Sequence, residues 1–468
     1  MSQESRLADS AGKMQKIISL CKRRGFIYPG SEIYGGLANS WDFGSLGSQL
    51  KKNIKDLWWQ YFVVNRDDII GIDAALMMNP KVWEASGHVD GFTDPLVECK
   101  ECHQRFREDQ LIEIEDKIER SIAKKLLKID RCPNCGGKLS TARQFNLMFK
   151  TNIGPVDDQM NTVYLRPETA QGMFVNFKNI LDSTRVQLPF GIAQIGKAFR
   201  NEITPGNFIF RVLEFEQMEI EYFIREQDWE RIFGEWQSAM SEWLNYIGIN
   251  SQNYSIREHN KDELSHYSKR TIDFEYKFPF GQKELYGLAY RTDFDLKNHE
   301  KHSGQDLKYR DPQTNETFIP HVIEPTFGVE RTVLAVLCDA YGEIEGGRGQ
   351  DSRQDQEVIL RLDKKLAPVK VAVFPLMKKE KLIEQARAIV KKLRQDLGHL
   401  PNFVIAYDDS GSIGKRYRRQ DEIGTPYCVT VDFETLEDKA VTVRDRDTMK
   451  QERVRIKELG GFLKEKFV

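Results

Sequence analysis

Apolar residues recur at helical spacing in several stretches of the chain. The first stretch predicts an amphipathic helix from Ser45 to Phe62, with one face turned to a core. A second helix is predicted over 108–128, and a third, which carries three tryptophans, over 228–246. The apolar positions of the first helix are Leu46, Leu50, Ile54, Leu57, Trp58 and Tyr61.

Alternating patterns predict strands between these helices. Segments 191–201 and 208–223 are strand-like, and the turn residues Thr204 to Asn207 between them predict an antiparallel hairpin. Alternation along the second strand separates its side chains onto two faces. One face is predicted to carry Arg211, Phe215, Gln217 and Glu219, and the other Met218, Ile220 and Tyr222. Further strands are predicted at 284–290 and 321–324, followed by a helix at 328–341.

From Val369 onward, strands and helices alternate. This alternation predicts a separate α/β domain over about the last hundred residues. A polar stretch with glycines at 343–356 predicts a linker or an exposed excursion before it. The predicted strands are 369–374, 403–407, 427–431 and 440–445, and the predicted helices are 378–397, 413–420 and 449–462.

The composition is that of a globular protein. The chain has 468 residues, of which 40% are hydrophobic and 30% charged, so two or three domains are expected. No apolar run is long enough to cross a bilayer, and the polar start lacks the core of a signal peptide. We therefore expect a cytoplasmic protein with no membrane partner. The net charge of -2 hides a basic excess in 367–468, which on charge alone favours a solvated surface over nucleic-acid contact.

Four of the seven cysteines form two closely spaced pairs. The odd total, without a signal peptide, indicates reduced thiols. Cys99 with Cys102, and Cys132 with Cys135, have zinc-knuckle spacing, which favours a closed, structural Zn²⁺ site. A redox pair or idle thiols are the alternatives. His103, next to Cys102, is expected to be a bystander.

The polar face of the predicted hairpin is either exposed to solvent or the floor of a site. Phe215 would have no role in water, and Arg200 on the first strand could converge with Arg211. Guanidinium groups hold phosphate oxygens in a planar fork, and an aromatic ring beside them can stack on a base. These side chains therefore favour a nucleotide site over a solvated face.

Arg331 falls in the first turn of the helix predicted at 328–341. A basic residue there is unfavourable by about a few tenths of a kcal/mol because of the helix dipole. The residue therefore either faces an anion or pairs with Glu330 or Glu324 for structural reasons, and both alternatives stay open.

These segments resemble the signature motifs of class II aminoacyl-tRNA synthetases. Phe199 to Glu202, a loop and Arg211 to Glu219 resemble motif 2, and Gly328 to Arg331 resembles motif 3. The helix and strand at 46–64 would be motif 1, at a dimer interface. The resemblance narrows to glycyl-tRNA synthetases of the homodimeric kind in the blocks 33–38, 41–44, 77–80, 86–89, 165–171, 199–205, 214–219 and 322–325.

The resemblance implies an α+β fold. A class II catalytic domain would span 1–362, built on an antiparallel sheet flanked by helices. It would contain a zinc-knuckle insertion at 98–140 and a second insertion, between motifs 2 and 3, at 224–283. An α/β anticodon-binding domain would span 363–468.

The resemblance also implies a reaction and its partners. A homodimer would activate glycine with ATP and Mg²⁺, forming glycyl-adenylate and pyrophosphate. It would then transfer glycine to the 3'-terminal adenosine of tRNA(Gly) for protein synthesis. No DNA partner is implied.

Individual residues acquire roles from the same resemblance. Arg200 would hold the α-phosphate and the glycine carboxylate, Arg211 the outer phosphates, and Arg331 with Phe215 the adenine; the three arginines are the predicted catalytic residues. The predicted nucleotide site also includes Asn201, Glu202, Phe210, Glu214, Glu284, Leu285 and Gly328. The predicted glycine site comprises Arg107, Glu168, Phe215, Glu216, Gln217, Met218, Glu219, Glu324, Thr326 and Gly328. The predicted tRNA contacts are Lys415, Arg416, Arg418 and Arg419, with Tyr417 available to stack on a base.

Two residues depart from the family pattern. Leu213 stands where motif 2 usually has a second Arg, and Thr326 stands where Ser is usual. The first removes a cation from the nucleotide side, and the second keeps the hydroxyl but adds a methyl group.

Two other functions compete with this prediction. One is a class II synthetase for threonine, proline or histidine. The other is a non-catalytic binding protein on the same scaffold, such as a polymerase accessory subunit, which would lose the motif arginines. Because Arg200, Arg211 and Arg331 are all present, the sequence favours the enzyme.

Overall fold

The structure, a computed structural model, describes residues 3–108, 111, 131–155, 161–203, 206–265, 267–346 and 356–467. Nearly all of the helix predicted at 108–128 lies outside these residues. So do the predicted turn residues Thr204 and Pro205 and, in the predicted linker, residues 347–355. In the described part, helices surround a mainly antiparallel sheet, which confirms the predicted α+β fold.

Helices occur from the start of the described chain to its end. In chain order they are α1 (Gln3–Arg24), α2 (Ser45–Trp59), α3 (Pro80–Ala85), α4 (His88–Gly91), α5 (Ala170–Val175), α6 (Phe177–Thr184), α7 (Trp229–Tyr246), α8 (Phe294–Ser303), α9 (Val329–Ala340), α10 (Glu380–Leu397), α11 (Ile413–Ile423), α12 (Phe433–Asp438) and α13 (Leu459–Glu465). A π-helical turn, Gln60–Val64, continues α2. Among the described residues, no helix has both the length and the apolar character that crossing a bilayer requires.

A seven-stranded sheet is the centre of the first part of the chain. The strands of this part are β1 (Ile27–Pro29), β2 (Trp41–Phe43), β3 (Ile69–Gly71), β4 (Thr93–Glu98), β5 (Arg105–Arg107), β6 (Arg143–Asn146), β7 (Lys150–Asn152), β8 (Thr162–Tyr164), β9 (Phe190–Phe199), β10 (Glu214–Ile224), β11 (Tyr254–Glu258), β12 (Arg270–Phe278), β13 (Gly281–Thr292), β14 (Tyr309–Arg310), β15 (Thr317–Phe318), β16 (His321–Gly328), β17 (Tyr341–Glu345) and β18 (Gln356–Leu360). The sheet order is β11-β12-β13-β16-β10-β9-β3, and only the β3–β9 pair is parallel.

The predicted hairpin forms from β9 and β10, with Glu219 opposite Gln194. The predicted apolar face of β10 is confirmed, because Met218 and Ile220 are buried in the main core with Leu50 and Trp58 of α2. This packing holds one face of β10 against α2. The opposite face is left to line a cavity.

The second strand of the hairpin begins later than predicted. The segment Phe208–Phe210 forms a 3₁₀ turn, and Asn207 before it has a left-handed φ of 56°. The three side chains of this turn are buried, so the chain first curls to bury them and joins the ladder only at Glu214. Arg211 therefore lies before the regular strand.

The predicted linker at 343–356 is in part a hairpin. Strand β17 pairs antiparallel with β18, with Gly342 opposite Ile359. Only the two ends of the predicted linker belong to these strands, and its central residues 347–355 lie outside the described part of the chain.

The last part of the chain is an α/β domain, as predicted. Its strands are β19 (Val371–Pro375), β20 (Ile405–Tyr407), β21 (Tyr427–Val431), β22 (Ala440–Asp445) and β23 (Gln451–Arg455). Their order is β20-β19-β21-β22-β23, with the first three strands parallel and the last pairs antiparallel. The helix predicted at 449–462 is wrong in its first half, which is the edge strand β23, and only α13 is helical.

Helix α1 contacts both parts of the chain. Lys13 Nζ donates to the carbonyl of Cys338 in α9 at 3.1 Å. At the other end of the helix, Arg23 Nη2 lies 3.1 Å from Glu422 Oε2 in α11, and Arg24 also pairs with Glu422. The first helix is thus joined both to α9, in the first part of the chain, and to α11 of the C-terminal domain.

Candidate active site

A cavity of about 690 Å³ opens above β10, between the 3₁₀ turn, β13, β16 and the start of α9. Strand β16 ends directly in α9 at Gly328. The start of α9 therefore lies beside β10 and β13, and residues distant in sequence line the same cavity. The cavity is lined by Arg200, Glu202, Ile209, Phe210, Arg211, Val212, Phe215, Gln217, Glu284, Leu285, Thr326, Gly328, Glu330 and Arg331. Most of the predicted nucleotide residues therefore share one cavity.

Arg200 lies between two aromatic rings on the cavity wall. Its guanidinium carbon is 5.3 Å from the centroid of Phe215 and 5.3 Å from that of Phe92. The Nε donates to the carbonyl of Pro167 at 3.0 Å. With Nε held by this bond, the two terminal nitrogens are the groups that can bind an anion in the cavity.

Arg331 enters the cavity from the first turn of α9. Its Nη1 lies 3.0 Å from Glu284 Oε2, and the guanidinium stacks 4.5 Å above the ring of Phe210. The proximity of Arg331 lowers the pKa of the Glu284 carboxyl. The alternative that Arg331 pairs with Glu330 or Glu324 is not what the structure shows, because Glu284 is its partner.

Arg211 completes a group of three guanidiniums. Its Nη1 lies 3.7 Å from Glu202 Oε2. Burial and the nearby charges of Arg107 and Arg331 lower the pKa of Arg211, while Glu202 opposes them. Glu202 and Glu284 offset two of the three guanidiniums, and the remaining positive charge suits the cavity to a polyphosphate.

Glu330 has a structural role at this wall. Its Oε2 accepts from the backbone nitrogen of Glu216 at 2.8 Å, and its Oε1 pairs with Lys51 of α2. The start of α9 is thereby tied to β10 beside Phe215. The two walls of the cavity are held at a fixed separation.

Several predicted ligand residues have side chains that point elsewhere. Glu216 pairs with Lys51 and Lys55 of α2, and Met218 is buried in the core, so neither side chain can contact glycine. Both lie on the face of β10 opposite to Gln217, as strand alternation requires. Any contact of these two residues with glycine would be through backbone atoms, and their assignment to the glycine site stays a prediction.

Three other predicted residues lie at the margin of the cavity. Glu214 is exposed and pairs with Lys197 of β9. Asn201 is joined through its backbone nitrogen to the carbonyl of Leu147. Arg107 pairs with Asp94 at 2.8 Å. None of the three predicted residues lines the cavity described above.

A cluster of buried acidic side chains, called the acidic pocket below, lies further along the same face of β10. Glu219 is opposite Thr326 of β16 and accepts bonds from the Thr169 backbone nitrogen at 3.1 Å and from Gln217 Nε2 at 2.7 Å. Thr169 Oγ1 also donates to Glu219. Glu168, next in sequence, lies within 3.3 Å of His88 Nε2.

One buried guanidinium organises this pocket. Arg291 Nε and Nη2 each lie 2.8 Å from an oxygen of Asp295, and Nη1 lies 2.7 Å from Glu324 Oε1. Its guanidinium also lies 3.9 Å from the ring centroid of Tyr267. The predicted carboxylates Glu168, Glu219 and Glu324 are thus brought together around a cation that the sequence analysis missed.

The carboxyls of the pocket differ in acidity. Burial opposes ionisation of Glu168, but the charges of His88 and Arg291 outweigh it and lower the pKa of Glu168. Burial raises the pKa of Glu324 to about 8, with Arg291 opposing and Glu219 and Glu168 adding to the rise. A pocket with surplus carboxyl groups and little room for other charge is suited to a small ammonium group.

Sequence reasoning missed Arg291, Asp295, Glu221 and His88 in this pocket. The available signal was weak: Arg291 and Asp295 are four residues apart where β13 passes into α8. A charged pair at such a boundary is more often exposed than buried, so spacing alone did not single it out.

The four paired cysteines meet as predicted. Their Sγ atoms lie within 4.8 Å of one another, and Cys99 and Cys132 are buried while Cys102 and Cys135 are exposed. This donor set fits a tetrahedral Zn²⁺ ion, which four thiolates hold without an open position. His103 is outside the cluster and lies 3.4 Å from Glu98.

The predicted tRNA contacts on α11 separate into two groups. Arg416 is only 1% exposed and donates to the carbonyls of Asp409 and Gly411, and Tyr417 packs 5.0 Å from the ring of Phe374. The prediction that these two side chains bind RNA is wrong, because both hold the domain together. Arg419 is bound to Asp408, Arg418 is half-buried and Lys415 is exposed.

Comparisons with known proteins agree with this geometry. Residues 149–340 match the model of the tRNA synthetase class II core domain (G, H, P, S and T), and residues 370–466 match the anticodon binding domain. The chain is 52% identical over 466 residues to the glycine–tRNA ligase of Alkaliphilus oremlandii, covering 97% of this chain and 98% of that protein. It is 53% identical over 472 residues to the glycine–tRNA ligase of Clostridium acetobutylicum, with coverage of 97% and 98%. For the enzyme of Bacillus cereus the identity is 51% over 466 residues, with coverage of 97% and 99%. With its three convergent guanidiniums, its carboxylate pocket and these relatives along nearly the whole chain, the protein belongs to the glycine–tRNA ligase family of class II aminoacyl-tRNA synthetases.

Proposed function

We propose that the protein activates glycine with ATP and transfers it to the terminal adenosine of tRNA(Gly). The observation that supports this most directly is the sequence of groups along one face of β10. Phe215 and the three guanidiniums lie at the upper cavity, and Glu219 lies at the acidic pocket below it. An anionic triphosphate and a cationic ammonium group would thus be bound in adjoining places.

In this arrangement the glycine carboxylate attacks the α-phosphorus of ATP and pyrophosphate leaves. The nucleophile is already ionised, so no side chain has to remove a proton. Arg200 would hold the α-phosphate and the attacking carboxylate together, while Arg211 would hold the outer phosphates. Positioning and charge neutralisation by preorganised cations supply most of the acceleration in such a reaction.

The adenine would lie between Phe215 and the guanidinium of Arg331. One face of the Arg331 guanidinium stacks on Phe210, and the adenine would stack on the other face. Mg²⁺ would be held mainly by phosphate oxygens, with the Glu284 carboxylate at the cavity wall as a protein oxygen ligand. When bound, the ion would neutralise charge on the phosphates.

Glycine is recognised by its ammonium group and by the absence of a side chain. Glu168, Glu219 and Glu324 would surround the ammonium. The backbone of β16 and the side chain of Thr326, which is directly opposite Glu219, would limit the space for a β-carbon. The methyl group of Thr326 would reduce this space further than a serine does.

We further propose that the catalytic domain spans 1–362 and the anticodon-binding domain 363–468. A homodimer is also proposed. It is supported by the exposed apolar side chains Ile33 and Tyr34, which are 89% and 88% exposed. The two side chains are adjacent in the chain, and contiguous exposed apolar surface marks interaction sites.

ATP–pyrophosphate exchange across all the standard amino acids tests the function. Exchange that depends on glycine alone is the expected result. Exchange with threonine, proline or histidine would identify a different synthetase, and no exchange with any amino acid would favour a non-catalytic binding protein.

Replacing Cys135 by alanine is expected to abolish zinc binding. Four thiolates complete the tetrahedral coordination of Zn²⁺, and a site with only three thiolates holds the metal far less tightly. Elemental analysis of the purified protein should find about one zinc ion per chain in the wild type and very little in the variant. The control is Cys428→Ala, which removes a buried thiol of the C-terminal domain. Loss of zinc in that control as well would contradict the site.

A further inference from the structure

Glu221 is a buried carboxyl group on β10. It is 0% exposed, and neither Oε1 nor Oε2 has a hydrogen-bond partner among the residues that the structure describes. It follows Glu219 on the same face of β10, because the two residues are two positions apart on the strand. The side chain therefore lies beyond the glycine pocket, on the side away from the nucleotide cavity.

The other carboxyls of the pocket have donors that stabilise a negative charge. Glu219 accepts three bonds from Thr169 and Gln217. Glu324 accepts from Arg291, and Glu168 accepts from Gln171 Nε2 at 2.9 Å. Hydrogen bonds to the charged form favour ionisation. Within the described part of the chain, Glu221 alone among these four has no such donor.

The charges around Glu221 do not balance. Glu219 on its own strand, Glu324 of β16, Asp295 of α8 and Arg291 of β13 surround it. The remaining titratable groups of the pocket are Glu168, His88, Tyr267 and His299. Arg291 is already engaged by Asp295 and Glu324, so further ionised carboxyls there would be buried without a cation.

We propose that Glu221 is a positioning residue that keeps a proton in the empty glycine pocket and releases it to solvent when the glycine ammonium binds. This inference rests on the proposed function. Burial, and then the charge of Glu324, raise the pKa of Glu221 well above its ordinary value. The incoming ammonium supplies the missing positive charge. Glu221 then ionises and acts on the ligand through Glu219 and Glu324, without contacting it.

The direction of the pH effect follows from this exchange of charges. Because binding releases a proton, glycine binds more tightly as the pH rises, while its own ammonium stays protonated. For one proton the dissociation constant falls about tenfold for each pH unit. Glu221→Gln keeps the shape of the protonated acid but cannot ionise. Its glycine affinity should depend less on pH than that of the wild type, because only Glu324 still titrates, and should be weaker than that of the wild type at the alkaline end.

The experiment is calorimetry of glycine binding to the full-length protein between about pH 6 and pH 8. Carboxyl groups exposed to water are fully ionised in this range, so they do not contribute protons. Two buffers with different ionisation enthalpies give the number of protons released. Glu221→Gln is expected to release about one proton fewer than the wild type at neutral pH, because the pKa of Glu324 is raised as well and its proton is still displaced in the variant. Glu235→Gln, an exposed carboxyl on α7, is the matched control and should behave as the wild type.

Enzyme kinetics provide a readout that a structural defect would not reproduce. In Glu221→Gln the KM for glycine should lose part of its pH dependence, while the KM for ATP stays that of the wild type. If the glutamine variant does not fold, Glu221→Met removes the same proton with an apolar side chain of similar length.

Two results would overturn the inference. One is a wild type that releases no proton on binding glycine, whatever the variants do. The other is a Glu221 variant that releases the wild-type number of protons. The proposed function fails separately, if the wild type shows no glycine-dependent exchange at any pH.

Discussion

Replacing Arg331 by alanine is expected to lower the kcat/KM of glycine-dependent ATP–pyrophosphate exchange by about 10²–10³-fold. The change removes one of three guanidiniums at the nucleotide cavity and one of the two groups proposed to enclose the adenine. The KM for ATP should rise more than the KM for glycine, because the acidic pocket is left intact. Exchange kinetics with each substrate varied in turn measure this difference.

The fold should survive this substitution. Arg331 pairs with Glu284, whose side chain is about half exposed, and such pairs contribute about 1 kcal/mol or less. Arg331→Lys is the matched variant: it keeps the charge but loses the planar group, so it should recover only part of the activity. An alanine variant with normal exchange would remove Arg331 from the site.

Replacing Arg291 by methionine is expected to cost both stability and activity. The guanidinium is buried and bonded to Asp295 and Glu324. Without it, two carboxylates remain buried with no cation, a loss of about 3–5 kcal/mol in the free energy of unfolding. Glycine binding should fail too, because these carboxyls would take up protons. Denaturant unfolding and the KM for glycine report the two effects.

The control for this substitution is Arg231→Met on the exposed side of α7. Arg231 pairs with Glu235 at 2.7 Å, and both side chains are largely exposed. Its loss should change the unfolding free energy by about 0.5 kcal/mol or less. Equal effects of the two substitutions would mean that the buried network does not stabilise the fold.

The nucleotide cavity could be predicted from the sequence, whereas much of the acidic pocket could not. Arg200 and Phe215 belong to one hairpin, and alternation along a strand indicates which side chains share a face. Arg291 is distant from both residues in sequence. It reaches the acidic pocket on β10 only because β13 and β10 both pair with β16. A contact created by sheet order leaves no local pattern in the chain.

In the C-terminal domain the sequence pattern predicted more RNA-contacting side chains than the structure exposes. Lys415 to Arg419 reads as a basic surface, yet the period of the helix turns Arg416 inward and leaves Lys415 outside. Composition cannot separate these two positions. The edge strand β23 was missed for a related reason, because only Val454 of its five residues is buried.

The ion pairs between α1 and Glu422 have a consequence for expressing the two domains as separate fragments. A fragment cut after residue 362 would keep Arg23 and Arg24 but lose the carboxylate that they share. The complementary fragment would hold that carboxylate with no counterion from the first helix. The N-terminal helix α1 therefore makes contacts across the predicted domain boundary. The two fragments expressed separately should each expose surface that is covered in the intact chain.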